Sequence, residues 1–98
     1  MPDTFTLTDH AQRRCDQRGI GMEEIELVTA HGKVISRQGL LFHVMREKDI
    51  PRHLPAAVKG RIKHVVVVIP TSEPGVVMTV YRNPRAITHI NRKGKKLL

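Results

Sequence analysis

Apolar positions repeat with a helical period near the start of the chain and with a strand period further on. Leu7, Ala11 and Cys15 follow one another at i, i+4 and i+8, a single stripe that predicts a helix over 9–18. Thr8 or Asp9 can cap that helix by accepting from its free backbone N–H groups. Gly19 adopts positive φ without penalty, and Ile20 then meets Cys15 in the apolar contact of a Schellman ending. Ahead of the helix, TFTL at 4–7 is β-prone and reads as a short strand or lead-in. After Gly21 a second helix begins, with Glu23 and Glu24 in its first turn, where negative charge suits the macrodipole. Met22, Ile25 and Val28 form its inner face, and His31 and Gly32 mark its end. Two helices joined by so short a turn predict an αα-hairpin.

From residue 33 the period becomes two. KVISR at 33–37 and LLFHVMR at 40–46 flank Gln38-Gly39, a tight hairpin turn. Residues 47–61 carry two prolines and a glycine, which predicts a loop with one helical turn, Pro55 at its first position and Gly60 at its end. The unbroken valine run of IKHVVVVIP, 62–70, predicts a central strand buried on both faces. TSEPG at 71–75 is a turn, and VVMTVYR at 76–82 the last strand. Strict alternation there puts Val76, Met78 and Val80 on one face and Val77, Thr79 and Tyr81 on the other. Residues 83–98 form a short helix or a loose basic tail. Helices first and about four strands after them predict one α+β domain, with a helical layer on a small antiparallel sheet.

Composition narrows this picture. Ninety-eight residues hold one core. Phe5, Phe42 and Tyr81 are the aromatic residues, so that core is aliphatic. With 17 Lys and Arg against 9 Asp and Glu, the formal charge is +8, which favours a polyanionic partner through counterion release. Cys15 stands alone, so there is no internal disulfide, and a reducing cytoplasm fits. The N-terminus lacks the basic and apolar regions of a signal peptide, and VVVVI is far too short to span a membrane.

Within the first helix His10, Arg14 and Arg18 recur at i, i+4 and i+8, beside the apolar stripe. They are either a solvated basic face whose arginine stems cover apolar surface or a site for phosphate. The pattern H-A-x-x-R-x-x-x-R-G-I formed by His10, Ala11, Arg14, Arg18, Gly19 and Ile20 resembles a signature of small prokaryotic and phage proteins, domain of unknown function 4258. MEEIELV at 22–28 and VVMTVYRN at 76–83 extend the resemblance over about 7–33 and 62–84. That family resembles the barnase–EndoU–colicin–RelE superfamily of mainly metal-independent ribonucleases and toxins. The resemblance implies a RelE-like fold, with helices on one face of the sheet and an RNA groove on the other face or at its edge. It also implies an RNA partner and, for a toxin, an acidic antitoxin.

Cleavage of that kind needs a base for the ribose 2′-OH, an acid for the leaving oxygen and cations on the developing charge. Histidine is a residue type suited to acid–base work near neutrality, which gives that role to His10, and Arg14 and Arg18 suit bidentate phosphate contact. Thr79 and Tyr81 would orient the substrate or the proton, and Arg82 would add a phosphate contact. Each has a plainer role as well: Tyr81 as a half-buried core residue, Thr79 as a β-former, Arg18 as a charge favoured at a helix C-terminus. The basic end, with Arg82, Arg85, Arg92 and Lys93, either tracks phosphates or only solubilises the chain. His31, His43, His53, His64 and His89 show no metal-ligand spacing, and no Gly-rich phosphate loop is present, so neither metal nor cofactor is expected. The alternative to an enzyme is a non-catalytic nucleic-acid-binding or protein-interaction module.

Overall fold

A computed structural model describes residues 5–93. Thr4 of the expected first strand and the end of the basic tail lie outside the described residues. Strand β1 (Thr6–Leu7) leads into α1 (Asp9–Arg18), and α2 (Met22–His31) follows. Thr8 sets the start of α1: its hydroxyl accepts from the Ala11 N–H at 3.1 Å and donates to the Met78 carbonyl at 3.0 Å. Gly19, at φ 65°, ends the helix, and Ile20 N–H reaches back to the Cys15 carbonyl at 3.0 Å. Cys15 and Ile20 are both buried in one cluster, so the Schellman ending forms with its apolar contact.

The hairpin of β2 (Lys33–Arg37) and β3 (Leu40–Val44) turns at Gln38 and Gly39, with φ of 54° and 76°, the paired left-handed residues that suit strand twist. Strand β4 (Val65–Pro70) pairs with β3 on one side and β6 (Thr79–Arg82) on the other, in an antiparallel sheet ordered β2-β3-β4-β6. A separate parallel pair joins β1 to β5 (Val76–Val77).

Both faces of the sheet are covered. On the first, Val65, Val67, Ile69 and Val80 pack with Ala11 and Cys15 of α1 and with Ile25 and Val28 of α2. Helix α1 lies along β6, whereas α2 lies over β3 and β4 and against α3 (Ala56–Ile62). On the second face Val66, Val68, Ile35, Phe42 and Val44 pack under Ala86 and Ile90 of α4 (Ala86–Asn91). The α+β class and the central, doubly buried valine strand agree with the sequence. The expectation of helices on one face only does not, because the start of the basic tail supplies a helix apolar enough to close the other.

Two further expectations are corrected. The helix expected to stop at Gly60 begins after Pro55 and runs on to Ile62, whose fully buried side chain anchors its last turn in the core. The strand expected over 76–82 breaks at Met78. There Met78 N–H donates to the Val68 carbonyl at 2.8 Å while Thr79 is the registered partner of Val68, so two residues oppose one. That bulge shifts the alternation. Val77 joins Val80 in the first core cluster, and Met78 is 40% exposed.

A Cβ at Gly32 would stand 2.7 Å from the Val28 carbonyl oxygen and 2.8 Å from that of Val44. Both are backbone atoms and cannot turn aside. Gly32→Ala is therefore expected to cost about 1–3 kcal/mol, read as a lower urea midpoint at an unchanged m-value. An unchanged midpoint would mean that α2 and β3 do not approach so closely.

Candidate functional site

Helix α1 is fastened to the edge strand at both ends, and that positions its basic row. Thr8 holds its start at Met78, and Arg82 holds its end by donating from Nη1 to the Arg18 carbonyl at 3.2 Å. His10, Arg14 and Arg18 span about 12 Å at ~1.5 Å per residue. His10 is exposed, and Arg14 and Arg18 are half-buried. The Nε atoms of both arginines are buried with no acceptor. Neither forms an ion pair among the described residues. The stems therefore cover apolar surface, as the plainer role requires, and the charge on each remains unmatched. A buried donor without a partner costs about 1–3 kcal/mol, so an anionic oxygen that drew the guanidinium outward would recover part of that cost.

Arg82, expected to add a phosphate contact, has a structural task in the fold. Besides the Arg18 carbonyl, it donates from Nη2 to the Arg61 carbonyl at 2.7 Å. Arg61 Nε stands 3.9 Å from Glu24 Oε2, and Glu24 Oε1 accepts from the Gly21 N–H at 2.6 Å. This chain of contacts ties α1, α2, α3 and β6 together, so Arg82 serves the fold. Arg85, Arg92 and Lys93 are exposed. The Arg85 N–H is held by the Asn83 side chain at 2.9 Å, which shapes the turn into α4.

Thr79 and Tyr81 are not brought onto the α1 side. Val80 faces α1, so its neighbours face the α4 side, and Tyr81 packs against the cluster of Phe42, Val66 and Ala86. Burial pushes the Tyr81 hydroxyl pKa up. The candidates thus divide into a row of His10, Arg14 and Arg18 on one side of β6 and a pair, Thr79 and Tyr81, on the other. No hydrogen bond joins the two groups among the described residues.

Sequence reasoning placed Glu24 in the first turn of a helix and His43 on a strand, but found neither the capping role of the one nor the burial of the other. Glu24 is 8% exposed, and only its three-residue spacing from Gly21 hinted at its capping role. His43 sits between Phe42 and Val44 on an inner strand, in register with Val34 and Val67. Its Nδ1 is buried without a partner, and burial lowers its pKa. Burial, with a smaller contribution from Asp16, raises the Cys15 thiol pKa, which keeps that side chain an unreactive core residue. Among the described residues no cluster of three His, Cys, Asp or Glu could hold a metal ion, and no helix is long and apolar enough to cross a membrane.

Two outcomes follow from these contacts. Arg82→Gln releases two backbone carbonyls and is expected to lower stability by about 1–3 kcal/mol, measured by urea unfolding; an unchanged midpoint would return Arg82 to the pool of free cations. The unfolded chain protonates His43 near its ordinary value of about 6.5, and the folded chain only at lower pH. Between those two values the unfolded state holds the extra proton, so stability falls as pH falls below about 6.5 and levels off below the folded pKa. His43→Gln should flatten that part of the stability–pH curve, and a curve of unchanged shape would remove His43 from the explanation.

No curated protein and no solved structure matched the chain. Residues 7–82 match the family profile described as domain of unknown function (DUF4258). That span takes in α1, the bulged strand and every element of the four-stranded sheet, and the chain belongs to this family.

Proposed function

We propose that the chain binds RNA through the row of His10, Arg14 and Arg18, on a RelE-like domain whose first two helices act as an αα-hairpin, and that it cleaves RNA without metal. One observation carries the binding: two half-buried arginines one turn apart, each with an unpartnered Nε and no acidic neighbour paired to it, continue the row from an exposed histidine in a chain of charge +8. Guanidinium forks suit phosphate oxygens, and an unpaired fork presents its donors at little further cost. The RelE-like assignment rests on the H-A-x-x-R-x-x-x-R-G-I motif and on the α+β architecture.

In the cleavage step His10 takes the ribose 2′-OH proton, the 2′ oxygen bonds to phosphorus, and the bond from phosphorus to the 5′ oxygen breaks. A 2′,3′-cyclic phosphate and a 5′-OH result, the leaving oxygen taking its proton from an acid. Tyr81, whose hydroxyl is protonated near neutrality and whose pKa burial raises further, is the acid of this set. It lies beyond β6 from His10, so the RNA must bend around that edge to reach both. An acidic antitoxin would silence such an enzyme by neutralising the α1 row. The separation of Tyr81 from His10 favours a second reading, a binding module without catalysis.

Fluorescence anisotropy with a labelled single-stranded RNA over a range of salt, followed by resolution of the products in EDTA, tests these readings. Arg14→Gln and Arg18→Gln should each weaken binding about tenfold and reduce the salt slope by roughly 0.7 per lost phosphate contact. His10→Ala should keep the affinity and lose the cleavage. Binding without cleavage in the wild type would leave the module without catalysis. Affinity indifferent to both arginines would overturn the site.

A further inference from the structure

A second concentration of unpaired charge lies in the segment between the hairpin and β4. An open cleft of about 580 Å³ is walled by Lys48 and Ile50, by Arg52 of the following loop, and by Lys59, Gly60 and Lys63 at the end of α3. That volume falls within the roughly 300–1,000 Å³ typical of small-ligand sites. None of the candidates on α1 or β6 lines it.

Its charge is one-sided. Glu47 is the acid on its wall, and it approaches Lys63 at 3.7 Å. Asp49 is turned away by Arg46, which holds its carboxylate through Nε at 2.7 Å and Nη2 at 2.9 Å. Lys48, Arg52 and Lys59 have no acidic partner among the described residues. Lys59 and Lys63 suit the C-terminal dipole of α3, but Lys48 and Arg52 come from other segments and gain nothing from it. Like charges gathered from separate segments repel one another until an anion enters. The wall is also firm: Ile50 packs against the main core cluster, and the Arg46–Asp49 pair fixes the 3₁₀ turn Glu47–Asp49.

We propose that this cleft is a phosphate-binding site, taking the phosphate groups of a nucleotide held in a polynucleotide or free. The first source rests on the RNA reading above; the second does not. Continuity supports the first. Arg61, between Lys59 and Lys63 on α3, offers its carbonyl to Arg82, which also holds the end of the α1 row at Arg18. A bound strand leaving the α1 row at Arg18 therefore meets α3 next.

Amide chemical shifts of the 15N-labelled chain, titrated separately with sodium triphosphate and a five-nucleotide oligouridylate, test the site. Sodium sulfate at matched ionic strength is the control. Saturable shifts at Lys48, Arg52, Lys59 and Gly60 are expected, with affinity at least tenfold weaker in a variant combining Lys48→Gln, Arg52→Gln and Lys59→Gln. These side chains lie outside the core, and unchanged shifts elsewhere in the variant verify its fold. If RNA moves the cleft and the α1 row together, the site is part of one polynucleotide track. Should triphosphate saturate the cleft while RNA leaves both regions still, the ligand is a free phosphate ester and the RNA reading alone fails. Movement of the α1 row with no response in the cleft to either probe overturns the cleft and leaves the RNA reading standing. Non-saturating shifts that sulfate reproduces would likewise overturn it, as general screening.

Discussion

Burial of the valine run on both sides of β4 is the constraint from which the rest of the fold follows. Val65 to Ile69 are at most 3% exposed. Alternate residues point to opposite faces, so one set joins Ala11, Cys15, Ile25 and Val28 while the other joins Ile35, Phe42, Ala86 and Ile90. Each buried valine contributes about 1.5–3 kcal/mol, and a chain with three aromatic residues has few other sources of core. Neither cover can be dispensed with. The small side chains of α1 let it lie close over β6, and α4, short as it is, closes the second face with Ala86 and Ile90.

Closure of both faces pushes chemistry to the rim. The bulge at Met78 lets Val77 and Val80 both reach the first core, and the same shift leaves Thr79 and Tyr81 facing α4. Arg82 shares the face of Val80, and there it meets two helix carbonyls. The residues that the sequence grouped around the last strand are thus dealt to two sides by the packing that stabilises that strand. On the proposed reading, any substrate that uses them together has to wrap the free edge of β6.

What was legible in the sequence was local. The span of α1, its cap and its Gly19 ending are set by residues within a few positions of one another, and they stand where the periodicity put them. The hairpin turn and the doubly buried valine strand are equally local. What escaped depended on distant partners. Gly60 reads as a stop until Ile62 finds the core, and 76–82 reads as one strand until Val77 and Val80 compete for the same cluster. The tail reads as either a short helix or a loose end, and only the need of Ile35 and Phe42 for a cover decides for the helix. The basic row on α1 was legible as a row. The double tie of Arg82 was not, because both of its acceptors are backbone carbonyls that no residue type announces.

Net charge says that an anion is welcome and nothing about where; the pairing pattern supplies the place. Several acids among the described residues have structural employment. Asp9 and Glu23 stand in first turns of helices, Glu24 caps α2, and Asp49 fixes the 3₁₀ turn. The cations outnumber those tasks. Exposed ion pairs contribute about 0–1 kcal/mol each, so the surplus is not retained for stability, and a surplus of +8 works against compactness through self-repulsion. Once Arg46, Arg61 and Arg82 are assigned to the fold, much of the unpaired charge lies along α1 and on the walls of the cleft beside α3. Two such surfaces, joined through Arg18, Arg82 and Arg61, fit an extended polyanion better than a compact one. A single small anion would satisfy either surface and leave the other with its repulsion intact.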